Sequence, residues 1–147
     1  MLEYESNRLL KDFVAKANFF YRNNKALWVK DHSWAGFEWL DTSDRENSVF
    51  IFQRIGETKF DKVIIALNMV PVPLKKYRIP VDEPGEYSIS LNSDDMKYGG
   101  SGYPTGAEER GIFLTNEEPW KGRPYYIEVC LPPLSGMYIE KISILGK

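Results

Sequence analysis

The amino-acid sequence predicts a mainly β chain in which one N-terminal α-helix precedes a two-sheet antiparallel β-sandwich. Apolar residues recur at helical spacing near the N-terminus, whereas from about Gly36 onward short β-rich runs alternate with turn residues. The length of 147 residues suits one domain, and a hydrophobic content of 43% suits a chain that buries a core.

The helix is predicted over residues 6 to about 24. Its apolar residues lie three and four positions apart, so they form one broad stripe along the helix. The stripe consists of Leu9, Leu10, Phe13, Val14, Ala17, Phe20 and Tyr21. The pair Asn23-Asn24 is a stop signal, and Ala26 to Trp28 are expected to add a short turn.

About eight short strands are predicted after the helix. The run from Ser48 to Ile55 is apolar on both faces, which is typical of a strand in the interior of a sheet. Pro71 and Pro73 predict an irregular connection, and residues 92–124 are rich in Gly, Asn, Asp and Pro and carry few strand signals. The strand runs are 37–41, 48–55, 62–68, 77–79, 86–91, 125–131 and 137–144.

Charge and composition exclude several classes of partner. A net charge of -2 provides no basic surface for nucleic acid or for an anionic membrane. No apolar run approaches the ~20 residues that span a bilayer, and the segment MLEYESNRLL lacks the features of a secretory signal. The single cysteine, Cys130, cannot form an internal disulfide. We therefore expect a cytoplasmic protein with no nucleic-acid and no membrane partner.

Residues suited to catalysis or metal binding are sparse. His32 is the only histidine, and one His with one Cys cannot build a common zinc site. Asp31 and Ser33 flank His32, but neighbours in sequence do not form a nucleophilic triad by adjacency. Acid pairs such as Asp94-Asp95 carry no sign that two carboxyls converge on one pocket. The glycine-rich run 98–102 lacks the lysine of a phosphate-binding loop. The sequence therefore predicts no catalytic residue, no cofactor and no metal ligand.

Aromatic side chains remain as candidate sugar contacts. Their ring faces suit the apolar faces of sugars, although most aromatic residues serve in a core or an interface. Trp120 and Tyr103 lie in the loop-rich region, and Tyr98 begins the glycine-rich run. We predict these three residues as the candidate sugar contacts.

Three stretches of the chain share a further pattern. The first stretch contains GFEWLD at 36–41, SV at 48–49 and FQR at 52–54. The second contains Asn68, PVP at 71–73, YRIP at 77–80, LNSD at 91–94 and YGGSG at 98–102. The third contains GRP at 122–124 and LPPL at 131–134. Each motif alone is weak, but together they resemble the C-terminal β-domain of 1,4-α-glucan (glycogen) branching enzymes, in the α-amylase superfamily. The departures, such as Pro80 in place of a usual glycine, are small.

The resemblance implies two segments. Residues 36–147 are expected to form a Greek-key sandwich of the α-amylase C-terminal domain type, and residues 1–35 resemble the terminal helix and linker of the catalytic barrel that precedes it. Part of the helical stripe is then expected to face that barrel, namely Leu10, Phe13, Val14, Ala17 and Phe20. An apolar patch of this size also predicts self-association of the chain by itself.

The resemblance also implies a function. Branching enzymes transfer α-1,4-glucan chains to a 6-hydroxyl, which makes the α-1,6 branches of glycogen, and they need no metal or organic cofactor. Their catalytic residues lie in barrel motifs that this chain does not contain, so no residue here inherits a catalytic role. The expected role is a non-catalytic domain that caps and stabilises the barrel and helps to hold α-glucan. A stand-alone carbohydrate-binding module and a purely structural accessory domain stay open as alternatives.

Overall fold

The computed structural model describes residues 5–28, 36–41, 48–56, 62–98, 100, 102 and 112–142. One helix, α1, spans Glu5–Asn23, and a short 3-10 helix follows at Lys25–Leu27. The strands are β1 Phe37–Asp41, β2 Val49–Ile55, β3 Lys62–Asn68, β4 Leu74–Val81, β5 Glu86–Asn92, β6 Ile112–Leu114, β7 Tyr125–Leu131 and β8 Ser135–Lys141. The predicted class, one helix followed by an antiparallel β-sandwich, is confirmed.

The strands form two antiparallel sheets. The larger sheet has six strands in the order β1-β2-β3-β8-β5-β6, and the smaller sheet pairs β4 with β7. The chain passes from the larger sheet to the smaller one after β3 and again after β6, and it returns to the larger sheet after β4 and after β7, so that β8 lies between β3 and β5. Register shifts interrupt β1 between Trp39 and Asp41 and β4 between Leu74 and Tyr77.

Strand boundaries differ from the prediction in several places. β4 spans Leu74–Val81 rather than 77–79, and β8 spans Ser135–Lys141 rather than 137–144. β2 begins one residue later than predicted, and β5 ends one residue later. The strand β6 lies inside the stretch that was expected to be a loop. β6 is only three residues long and pairs with Glu86–Ser88 of β5, so long-range pairing rather than local pattern defines it.

The main core lies between the two sheets. Alternate side chains of the larger sheet meet alternate side chains of β4 and β7, as strand geometry requires. The fully buried members are Ile51, Ile79, Ile127, Val129, Met137 and Ile139. In β3, Ile64 and Ala66 face this core while Val63 and Ile65 face the opposite side of the sheet. β3 is therefore buried on both faces.

The segment α1 and its following turn lie on the outer face of the six-stranded sheet. Ala26 and Leu27 are buried against Val63 and Ile65, and the Phe20 ring centroid lies 5.1 Å from that of Tyr138. This second, smaller core anchors the C-terminal end of α1. The structure is therefore a three-layer arrangement of helix, six-stranded sheet and two-stranded sheet.

Asn68, at the end of β3, holds two proline-containing loops together. Its side-chain amide donates to the carbonyl of Pro132 at 2.9 Å and to that of Val72 at 3.1 Å, and its Oδ1 accepts from the Val70 N–H at 3.1 Å. The residue is 1% exposed. A buried amide must pair its polar atoms, and here it joins the 70–73 loop to the 132–134 turn.

Candidate functional site: an exposed helical ridge and a polar network

The apolar stripe of α1 divides into two halves. One half packs on the β-domain, because Phe20 contacts Tyr138 and the Phe13 ring centroid lies 5.2 Å from that of Tyr98. The other half is exposed, and we name it the helical ridge: Leu10, Val14 and Tyr21 have 60%, 47% and 46% of their surface accessible. These three residues are four and seven positions apart, so they follow one line along the helix.

Of the five residues predicted to face a barrel, the structure therefore places two on the β-domain and leaves two open. Phe13 and Phe20 contact the domain of their own chain, whereas Leu10 and Val14 lie on the helical ridge. Ala17 is half-buried between the two halves. Sequence periodicity defined the stripe but not its division, because the division depends on where the β-domain places Tyr98, in a 3-10 turn at Met96–Tyr98, and Tyr138, in β8.

A second exposed apolar surface lies on the outer face of β1 and β2, and we name it the aromatic patch. Phe37, Trp39, Phe50 and Phe52 form a continuous set of ring contacts with centroid separations of 5.0–6.5 Å. Trp39 is 49% exposed and Phe50 is 41% exposed. This surface was not predicted from the sequence, although the alternation of aromatic residues in FEW and VFIF was a signal for it.

Asp82 is the centre of a polar network between the two sheets. Its Oδ1 accepts from Arg123 Nη1 at 2.7 Å, and its Oδ2 accepts from Lys62 Nζ at 2.9 Å and from Gln53 Nε2 at 3.2 Å. Glu38 lies 3.2 Å from Arg123 Nη2. Asp82 follows β4, whereas Glu38, Gln53 and Lys62 belong to the larger sheet, so the network joins the sheets at one edge of the core.

A tight turn positions Arg123 for this network. Trp120 and Arg123 exchange two backbone hydrogen bonds of 2.8 and 2.9 Å, and the two residues between them, Lys121 and Gly122, have φ of 50° and 83°. Two consecutive positive φ angles are the signature of a two-residue turn of type I′. The motif GRP therefore folds so that its arginine follows a hairpin bend and reaches the carboxylate of Asp82.

The network has a clear electrostatic consequence. Burial alone would raise the pKa of Asp82, but hydrogen bonds from Lys62, Arg123 and Gln53 outweigh it and lower the pKa from 3.8 to about 2. The neighbouring Tyr87 is buried and donates its hydroxyl to the carbonyl of Glu83 at 2.8 Å. Burial, followed by the negative charges of Glu83 and Asp82, raises the pKa of Tyr87.

These polar groups line a cavity of about 190 Å³ between the sheets. Two of the carboxylates that line it pair with cations: Asp82 with Lys62 and Arg123, and Glu83 with Lys62 at 3.6 Å and Lys141 at 4.0 Å. The third, that of Glu140, accepts hydrogen bonds from Asn24 and Ser90. Charges that are mutually compensated in this way stabilise a structure more readily than they attack a substrate. The arrangement supports a structural role for the network.

Of the three predicted sugar contacts, the two described ones, Trp120 and Tyr98, lie in different parts of the domain. Trp120 packs on the smaller sheet, where the guanidinium of Arg78 lies 4.8 Å from its ring centroid and 4.6 Å from that of Tyr126. Tyr98 instead contacts Phe13 of α1. Tyr103 falls outside the described residues.

The acidic candidates have structural surroundings as well. Asp94 is 8% exposed, and its carbonyl accepts from the N–H of Gly102 at 2.8 Å. Glu117 and Glu118 are exposed in a bend, and His32 and Glu108-Glu109 fall outside the described residues. Within the part of the chain that the structure describes, no group of three or more His, Cys, Asp or Glu side chains is placed to hold a metal ion. No helix among the same residues is long and apolar enough to cross a bilayer.

Comparison with known proteins places this geometry in a family. The model for the α-amylase C-terminal all-β domain matches residues 39–141. The chain is 38% identical over 143 residues to the 1,4-α-glucan branching enzyme GlgB of Halothermothrix orenii. The aligned residues make up 97% of this chain and 22% of that protein.

Two further relatives agree. The chain is 39% identical over 140 residues to the 1,4-α-glucan branching enzyme GlgB of Rubrobacter xylanophilus, and the aligned residues make up 95% of this chain and 19% of that protein. It is 38% identical over 143 residues to the enzyme of the same name from Synechococcus elongatus, and the aligned residues make up 97% of this chain and 18% of that protein. The chain thus spans about a fifth of the length of these relatives, and the resemblance indicated by its motifs is confirmed. The chain belongs to the family of α-amylase C-terminal all-β domains.

Proposed function

We propose that this chain is the non-catalytic C-terminal domain of a cytoplasmic 1,4-α-glucan branching enzyme and that it stabilises the catalytic barrel of the same polypeptide. The parent activity is the transfer of α-1,4-glucan chains to form α-1,6 branches in glycogen. The observation that carries the stabilising role is the helical ridge. Leu10, Val14 and Tyr21 form an apolar line on a helix whose other apolar half is already seated on the β-domain.

The energetics favour a partner for this ridge. Each of its side chains still exposes about half of its surface. Burying that half removes apolar area from water and contributes roughly 1 kcal/mol per side chain, or about 3 kcal/mol for the three. A gain of this size is a substantial part of the net stability of a typical domain. The preceding barrel is the natural partner, because α1 is expected to be its terminal helix.

The pairing of the polar groups within the domain supports a non-catalytic role. The carboxylate of Asp82, which is 27% exposed, is paired with Lys62 and Arg123, and the backbone of Asp94 organises a loop. Asp82 shares its cavity with Glu83 and Glu140, but Glu83 is also paired with Lys62, and Glu140 accepts hydrogen bonds from Asn24 and Ser90. Glycoside chemistry instead uses two carboxyls that face a sugar between them, roughly 5–9 Å apart. Catalysis is therefore assigned to the barrel.

The experiment compares one substitution in two contexts. Leu10→Asp is introduced into the longer branching enzyme and into the 147-residue chain, and thermal unfolding is measured for both. The substitution should lower the stability of the longer enzyme by about 2–4 kcal/mol, because it places a charge in an apolar interface. It should change the stability of the 147-residue chain by no more than about 1 kcal/mol, because Leu10 is 60% exposed there.

Ala15→Asp is the matched control, since Ala15 is exposed on the face of α1 opposite Phe13. It imposes a similar loss of helix propensity without touching the ridge. Equal effects of Leu10→Asp and Ala15→Asp in the longer enzyme would refute the docking of α1 on the barrel. Sedimentation of the 147-residue chain tests the accompanying prediction of self-association, which Leu10→Asp should weaken.

A second role, holding glucan, is favoured by a different observation. The aromatic patch and the groove beside Tyr98 both present rings at the surface. Retardation of the chain in gels that contain glycogen would support sugar binding. Unchanged mobility in those gels would favour the purely structural alternative.

A further inference from the structure

A groove of about 250 Å³ lies between α1 and the strand β5. Its walls combine one aromatic ring with several hydrogen-bonding side chains. The lining residues that matter here are Tyr98, Lys16, Ser90, Asn92, Asp95 and Lys97. Its volume is below the roughly 300–1,000 Å³ of pockets that enclose drug-sized molecules, so the groove suits one small ring.

The loop that presents Tyr98 is held in place by its own backbone. The N–H of Tyr98 donates to the carbonyl of Asp95 at 2.9 Å, and the N–H of Lys97 donates to Asp95 Oδ1 at 3.1 Å. A Cβ at Gly100 would lie 2.2 Å from the backbone of Asp94, so the glycine allows the chain to close tightly over this loop. Ser93 then fastens the loop to β8, because its Oγ accepts from the N–H of Gly136 at 2.9 Å. A site fixed in this way loses little entropy when it binds a ligand.

The charges around the groove are close to balanced. Lys16 and Lys97 contribute two cations to its walls, and Asp95 contributes a carboxylate. A second carboxylate, that of Glu140, accepts from the hydroxyl of Ser90, which also lines the groove. A free anion would gain little in such surroundings, whereas a neutral polyhydroxyl compound can pair with both the donors and the acceptors.

We propose that this groove binds one glucosyl unit of an α-1,4-glucan chain. The apolar face of the sugar packs on the ring of Tyr98, and its hydroxyls bond to Lys16, Lys97 and the amide of Asn92. The identity of the sugar rests on the proposed function, while the location rests on the groove alone. Because α1 forms one wall, glucan held here lies beside the helix that leads to the barrel.

The test is titration of the 147-residue chain with maltohexaose, followed by calorimetry. The chain should bind maltohexaose, and Tyr98→Ala should raise the Kd about tenfold, since the ring supplies the stacking surface. Trp28→Ala is the control, because Trp28 is an exposed aromatic residue outside both the groove and the helical ridge. It should leave the Kd unchanged.

Tyr98 also contacts Phe13, so a second variant guards against loss of folding. Lys16 and Lys97 are both exposed, and the double substitution Lys16→Ala, Lys97→Ala leaves the backbone bonds of the loop intact. It should raise the Kd at least about fivefold, because two hydrogen-bond donors are removed. Binding should persist in high salt, as expected for a neutral ligand.

Two results would overturn the proposal. One is the absence of any heat of binding for the wild-type chain up to the solubility of maltohexaose. The other is wild-type affinity in both the Tyr98 and the double-lysine variants, with loss in Trp39→Ala or Trp120→Ala instead. Neither result bears on the helical ridge, whose test measures thermal stability in the absence of sugar.

Discussion

Replacement of Asp82 by Asn removes the negative charge, and one of the two acceptor oxygens, of a carboxylate that three donors share. In the folded chain the pKa of this carboxyl is about 2, compared with 3.8 when it is unperturbed. At about 1.36 kcal/mol for each pH unit, this difference means that the charged form stabilises the folded state by about 2 kcal/mol. The side chain is 27% exposed, so solvent screening removes only part of this contribution.

The sign of the pH dependence follows from the lowered pKa. The unfolded chain takes up a proton near pH 3.8 and the folded chain only near pH 2, so acid favours unfolding. The contribution of Asp82 is complete above about pH 5 and is lost as the pH falls to about 2. In Asp82→Asn, this part of the pH dependence should be missing.

Urea denaturation of the wild type and of Asp82→Asn, repeated between neutral pH and acid, measures the effect. At pH 7 the variant should be less stable by about 2–3 kcal/mol, because Lys62 and Arg123 lose their shared carboxylate. The difference between the two proteins should shrink by about 2 kcal/mol near pH 2. Asp12→Asn, at an exposed position of α1, is the control and should show no such convergence. A constant difference between wild type and Asp82→Asn at all pH values would refute the reasoning.

Two further substitutions test structural contacts. Asn68→Ala should lower the free energy of unfolding by about 2–3 kcal/mol, because the carbonyls of Val72 and Pro132, in the two proline-containing loops, lose their donor. The control Asn23→Ala, at an exposed position, should lower it by less than about 1 kcal/mol. Equal losses in the two variants would contradict this role of Asn68. Gly100→Ala should lower thermal stability strongly, because its Cβ would meet backbone 2.2 Å away, whereas Gly122→Ala meets nothing within 4 Å and should cost only about 1 kcal/mol for its positive φ. Similar melting temperatures for the two alanine variants would show that the loop yields to the added methyl group.

The elements with a strong local pattern could be predicted from sequence. Residues Lys62–Asn68 and Tyr125–Leu131 are β-rich runs with clear ends, and both strands have the predicted bounds. Ile112–Leu114 could not be predicted, because three residues carry no periodicity and the strand exists only through its pairing with β5. The same holds for the ends of β4, which lengthens wherever β7 supplies partners.

The polar network could not be predicted, because its residues lie far apart in the sequence. Asp82 meets Gln53, Lys62 and Arg123 through four different elements of the fold. The motifs contained part of the signal, since GFEWLD, FQR and GRP include Glu38, Gln53 and Arg123. A motif reports that residues occur together, but the contact itself depends on how the two sheets stack.

The strand edges have a consequence for how this domain meets other molecules. β1 is broken by a register shift, β6 is three residues long, and β4 carries both a register shift and Pro80. Irregular, short or proline-containing edges are poor templates for an incoming strand, which protects against sheet extension and fibril formation. Association through backbone hydrogen bonds is therefore disfavoured along these three strands. Along these strands recognition falls to side-chain surfaces, so a neighbour there can be gained or lost without disturbing the pairing of the strand.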